Sequence, residues 1–190
     1  MPEFNKNTPE EILICHIREG NEEAFKTVFL RYYKQLALFA RRFVRTTDVA
    51  EDLIQEVFAR IWESREEWSP GSSLKVYLYQ VVKHQALDYL KHKQVEDKYD
   101  ESWMDQKETP SIVFSETGEK EQFRRLVNKA IEELPTQART VYKLHRFDGL
   151  TYKEIAQVLD ISVKTVESQM TRSLKKLRER LSPYLSIVMN

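Results

Sequence analysis

The stretch 151-TYKEIAQVLDISVKTVESQMTRSLKKLRERL-181 carries two helix starts in close succession. Thr151 and Glu154 form a Thr-x-x-Glu capping box, and Leu150 before the cap is placed to pack on Ile155 as a hydrophobic staple. The same logic repeats at Ser162, an N-cap candidate with Ile161 stapling onto Val166, although Thr165 stands where a full box has Glu or Gln. Only Asp160, Ile161 and Ser162 remain for a sharp turn, which is the spacing of a helix-turn-helix, and Ala156 is small where the two helices would cross. Glycine is common at the turn position held by Asp160, and Asp tolerates the left-handed conformation better than most residues.

At about 100° per residue, Val163, Val166, Met170, Leu174, Leu177 and Leu181 fall on one side of the second helix and are its expected core face. Lys164, Thr165, Ser168, Arg172 and Lys175 fall roughly opposite, with Gln169 on the flank. These side chains offer donors and acceptors that can reach base edges and phosphates. A helical hairpin with an ordinary charged surface is the alternative, although such a surface usually holds more Glu.

A DNA-reading role must be reconciled with the charge, since the 190 residues hold 30 Lys and Arg against 30 Asp and Glu. The balance is segregated along the chain. Residues 1–93 carry 14 basic and 14 acidic side chains, 94–121 carry 3 and 9, and 122–190 carry 13 and 7. The field felt by a polyanion depends on local clusters and not on the sum, so a basic C-terminal segment of +6 answers part of the objection.

Composition narrows the rest. Hydrophobic residues make up 41% and aromatics 11%, enough for two small cores. Only four glycines argue for helix and against phosphate-cradling loops. No apolar run approaches the roughly 18 residues that span a bilayer, and Glu10, Glu11, His16 and Arg18 interrupt any secretory pattern, so a cytoplasmic protein is expected. The single Cys15 sits among Ile12, Leu13, Ile14 and Ile17 and reads as a buried thiol. His16, His84, His92 and His145 are scattered, without HExxH or CxxC spacing, so neither catalysis, metal nor cofactor is expected.

Upstream of the opening stretch, apolar residues at three- and four-residue steps predict helices over 9–18, 22–44 and 74–93. Between the last two, "TTDVAEDLIQEVFARIWESREEW" predicts another, with Asp48 as N-cap and Glu51 three residues on. "WSPGSS", 68–73, is the clearest loop. Residues 94–121 lose periodicity, gather acids and contain Pro110, which reads as a linker. Helices over 122–134 and 136–147 follow, stopped by Pro135 and Gly149. The expected fold is all-α: two small helical domains, 1–93 and 122–190, joined by the acidic linker 94–121, with the helix-turn-helix in the second.

This organisation resembles the compact extracytoplasmic-function group of sigma factors of bacterial RNA polymerase. "AFKTVFLRYYKQLALFARRFV" resembles the first conserved sigma helix, "DVAEDLIQEVFARIW" the polymerase-binding helix, "SLKVYLYQVVKHQALDYLKHK" the promoter-melting and minus-10 helix, and 133–181 the minus-35-binding domain. The resemblance implies that Asp52, Gln55 and Glu56, which share one helical face at i, i+3 and i+4, contact the clamp of the largest polymerase subunit. Phe58 and Trp62 are either core or the apolar part of that interface. It assigns minus-10 contacts to Ser72, Ser73, Lys83, His84 and Lys91, with "WSPGSS" receiving a flipped base. Lys83 and His84 stand where the family commonly has Arg-Asn, and Lys lacks the bidentate fork of Arg. Tyr77 and Tyr79 are either core or platforms for unpaired bases. Minus-35 contacts fall to Lys164, Thr165, Ser168, Gln169, Arg172 and Lys175. Implied partners are core RNA polymerase, promoter DNA and an anti-sigma factor. The polymerase is expected to supply the rest of the affinity for DNA, and the acidic linker to thread a basic channel of that enzyme. The rival is a stand-alone helix-turn-helix repressor or activator; a structural adaptor would bind polymerase without promoter dependence.

Overall fold

The computed structural model describes residues 4–5, 7–44, 46–71, 73–97 and 119–188. These form eight helices and, among the described residues, no strand. The chain divides into two compact units, Met1–Gln106 and Lys107–Asn190. No helix among the described residues is long and apolar enough to cross a membrane.

The first unit holds α1 (Glu10–Arg18), α2 (Glu22–Ala40), α3 (Thr47–Glu63) and α4 (Leu74–Asp97). Gly20 turns the chain out of α1 at φ +82°, and Asn21 caps α2 by accepting from the Ala24 amide at 3.0 Å. α2 ends at Ala40 and not at Val44; residues 41–44 form turns that fold Phe43 onto Phe39. The cap of α3 is Thr46, whose Oγ1 accepts from the Val49 amide at 3.4 Å. Asp48, expected there, lies in the first turn, where its charge still favours the helix N-terminus. Leu13 and Ile17 of α1, Val28, Leu36 and Phe39 of α2, Ile54 and Val57 of α3, and Leu78, Tyr79 and Val82 of α4 close one core. Cys15 departs from expectation. It is exposed, with Sγ 3.9 Å from Glu19 Oε1, because the i, i+4 pair Leu13 and Ile17 takes the inward side of α1.

The second unit holds α5 (Glu119–Glu132), α6 (Thr136–Arg146), α7 (Tyr152–Leu159) and α8 (Val163–Val188). α4 and α5 thus take residues from both ends of the expected linker. The remainder of that linker, Asp100, Glu101, Asp105 and Pro110 included, lies outside the described residues. Glu132 binds Arg139 at 2.9 Å and Lys143 at 2.6 Å, and Glu133 binds Arg180 at 3.1 Å, so the end of α5 holds α6 and α8. The capping box of α7 is complete in both directions. Asp160 adopts the left-handed conformation at φ 57°, ψ 52°, and Ser162 Oγ accepts from the Thr165 amide at 3.0 Å to start α8. Asp160→Gly is therefore expected to stabilise this unit by about 0.5 to 1 kcal/mol, measured as a rise in urea midpoint at unchanged slope.

The inward face of α8 differs from the expected stripe. Val166, Met170 and Leu177 are buried, but between them the chain buries Ser173 completely, at 0% exposure, while Leu174 is 51% exposed and Val163 also faces solvent. Val166, Met170, Ser173 and Leu177 follow i, i+4, i+7 and i+11, the true centre of the face; Leu174 lies one step off it. A small side chain is needed there because α8 lies against α6: the Ser173 hydroxyl is 3.2 Å from the Ala138 carbonyl and 2.8 Å from that of Gln169. A leucine at 173 would separate the two helices.

Candidate nucleic-acid and partner interfaces

On α8, Lys164, Thr165, Ser168, Arg172 and Lys175 are all exposed and Gln169 is half-buried, as the wheel expects. Among the described residues, Lys164, Arg172 and Lys175 make no salt bridge, whereas Arg139 and Lys143 share Glu132 and Arg180 pairs with Glu133. Three cations without an acidic partner thus lie on the outward face of the second helix of the helix-turn-helix. Thr165 is partly committed to the fold, its hydroxyl lying 2.8 Å from Ser162 Oγ.

Beside this face an open cleft of about 350 Å³ runs between α8 and the start of α6, lined in part by Gln137, Gln169, Arg172 and Lys176. α6 begins behind Pro135 without a side-chain cap, so its positive end opens on the same cleft. The side-chain amide of Gln169 points at Gln137 Oε1 from 3.5 Å, and Lys176 donates to the Glu133 carbonyl at 3.0 Å. Gln137 and Lys176 were not among the expected site residues. Sequence pattern gives no reason to choose them, because their nearness to Arg172 depends on how α6 packs across α8.

In the first unit, Asp52, Gln55 and Glu56 are exposed on α3. Glu56 is already engaged: its Oε2 accepts from Gln85 at 2.7 Å and lies 4.0 Å from Arg60, which also donates to Gln85 at 3.1 Å. That network ties α3 to α4. Asp52 lies toward Tyr33, whose phenol is pushed up by partial burial and then by Glu51 and Asp52. Phe58 is 2% exposed and belongs to the core, edge-on to Phe25 and Phe29, so it is not available to a partner. Trp62 is half-buried, 4.9 Å from the Phe25 ring, with the Arg65 guanidinium over it. The ring pairs Phe29–Tyr33 and Phe25–Trp62 are partly exposed apolar surface on α2 and α3.

Of the expected minus-10 residues, Ser72 lies outside the described residues. Ser73 is exposed and caps α4, accepting from the Val76 amide at 3.3 Å. Lys83 is half-buried and His84 exposed. Lys91 is exposed but bound to Asp88 at 3.1 Å, which weakens its field. Tyr79 is fully buried and Tyr77 packs against the buried Trp68, so Tyr79 cannot stack on a base. No group of His, Cys, Asp and Glu among the described residues could hold a metal ion.

Two family models match the chain: sigma-70 region 2 over residues 28–95 and sigma-70 region 4 over residues 124–177, together more than half its length. The chain belongs to the sigma-70 family. It is 26% identical to the extracytoplasmic-function RNA polymerase sigma-E factor of Escherichia coli K12 over 96% of this chain and 99% of that protein. It is likewise 26% identical to the sigma-E factor of Haemophilus influenzae over 93% and 97%. Among solved structures it is similar to CnrH in complex with the cytosolic domain of CnrY, with a TM-score of 0.59 and 22% identity over 92% of this chain and 97% of that one. It is also similar to the sigma factor RpoE of Bartonella quintana in complex with the anti-sigma factor NepR, with a TM-score of 0.62 and 21% identity over 83% and 96%. This is an alternative sigma factor of the extracytoplasmic-function group, and it directs transcription initiation. Region 2 of the sigma factor falls in the unit built by α1–α4, and region 4 in the unit that holds the helix-turn-helix.

Proposed function

We propose that the sigma factor divides its work between its two units. Residues 1–93 bind core RNA polymerase and open the minus-10 element, residues 122–190 read the minus-35 element, and 94–121 join them. Docking rests on Asp52 and Gln55, with Glu56 shared between the interface and the α3–α4 network and Trp62 at the apolar margin. Opening rests on the 68–73 connection, Ser73, Lys83 and His84. Reading rests on Lys164, Thr165, Ser168, Gln169, Arg172 and Lys175. The observation that carries the minus-35 reading is the set of unneutralised cations on the exposed face of α8, since phosphate contacts position a recognition helix while its polar side chains read base edges. The protein acts in the cytoplasm and performs no catalysis of its own; RNA synthesis belongs to the polymerase. An anti-sigma factor such as the one bound to Bartonella RpoE is its expected inhibitor.

Run-off transcription with core polymerase on genomic DNA, followed by mapping of the starts, tests this reading. Starts that appear only with the sigma factor present support it. Tight promoter binding by the protein alone, with no start dependent on it, would favour a repressor instead. Arg172→Ala is expected to weaken promoter binding by the holoenzyme by about 1 to 3 kcal/mol through a lost base contact, without loss of folding, since its side chain is exposed. An unchanged promoter profile removes Arg172 from the reading face.

A further inference from the structure

The region 2 match begins at residue 28, so α1 lies outside it, yet α1 is attached to both ends of the connection that precedes α4. At one end the Arg18 guanidinium donates to the Glu66 carbonyl at 3.3 Å, in the turn after α3. At the other end the Glu10 carboxylate accepts from the Leu74 amide, the first of α4, at 3.1 Å. The other oxygen of Glu10 accepts from the Tyr32 hydroxyl of α2. Burial, and next the bond to Glu10, holds the Tyr32 phenol far above its ordinary range, so it stays a donor. The Leu74 amide is one of the orphan donors of a helix N-terminus, where a carboxylate is held by both the hydrogen bond and the helix dipole. Leu13 and Ile17, both at 0% exposure, anchor α1 in the core between its two attachments, which are about 12 Å apart along the helix.

We propose that α1 is a splint that holds the residues on either side of the 68–73 connection, with Glu10 and Arg18 as positioning residues for promoter opening. A connection whose ends are already set loses less conformational freedom when it receives an unstacked base, so opening is faster without any added contact to DNA. This rests on the reading of the connection and α4 as the minus-10 element.

The test measures open-complex formation by the holoenzyme, using 2-aminopurine placed in the minus-10 element, beside core affinity and thermal unfolding of each variant. Glu10→Ala is expected to slow opening about tenfold at unchanged core affinity. Glu10→Gln should recover most of the rate, because its amide oxygen can still accept from Leu74. Tyr32→Phe should lower the melting temperature yet open at the wild-type rate, since the Leu74 contact survives. Arg18→Ala, an exposed substitution at the far end, should slow opening at unchanged melting temperature, and it decides the matter if Glu10→Ala fails to fold. Wild-type opening by Glu10→Ala and Arg18→Ala, or slowing of all variants in proportion to lost stability, would overturn the splint. Lys83→Ala and His84→Ala separate the two levels. If these slow opening while the α1 variants do not, the splint alone is wrong; if none slows it, the minus-10 assignment has failed with it.

Discussion

Asp52→Lys combined with Gln55→Lys is expected to reduce affinity for core RNA polymerase about a hundredfold or more, while leaving the fold within about 0.5 kcal/mol of wild type. Both side chains are exposed on α3, and neither belongs to the network that ties α3 to α4. A partner suited to this polar, acidic face presents Arg or Lys. Two lysines would therefore set like charges against each other at close range and add the cost of desolvating groups left unpaired. Glu56→Ala gives the contrasting result. It removes a carboxylate of the proposed docking face but also releases Gln85 and Arg60, so part of its effect is read in unfolding and not in binding. Competition with the wild-type sigma factor for labelled core polymerase measures the first effect, and denaturant titration the second. Undiminished core binding by the double lysine variant would move the docking face off α3.

Phe39→Ala is expected to destabilise the first unit by about 3 to 5 kcal/mol, the range for emptying an aromatic site in a core that cannot collapse. Phe39 is completely buried, 4.9 Å from the Tyr79 ring and 5.2 Å from Phe43, with the Arg42 guanidinium over its face. Removing it opens a void between α2 and α4 and strips the packing from Tyr79. Hydrogen exchange on the full chain locates the damage: amides of α2 and α4 should lose protection, whereas those of α6, α7 and α8 keep theirs because each unit has its own core. Equal loss of protection in both units would show that they unfold as one.

Most of the helical architecture was legible because its signals are local. A capping box needs Thr151 and Glu154 three residues apart, a left-handed turn needs a residue as tolerant as Asp160, and the outward face of α8 follows from a 100° step. Helix ends were less legible. Thr46 and Asp48 are both good caps, and the choice between them depends on which puts Ala50, Leu53 and Ile54 into the core. Phe58, Tyr79 and Cys15 show the same limit. Residue type makes each plausible inside or outside, and only the direction of its neighbours settles the matter.

By itself, then, the sequence determined that this chain is helical, that its charge is divided, and that residues 151–181 form two helices about a tight turn, the second with a polar outward face. Those properties depend on residues a few positions apart and on composition. Tertiary structure alone decided that Ser173 and not Leu174 faces α6, that Gln137 and Lys176 join Arg172 at one cleft, and that Glu10 reaches Leu74 across 64 positions. The reason is physical. Each depends on how closely two helices approach and at what rotation, and that is set by the fit of whole faces and not by the identity of either residue.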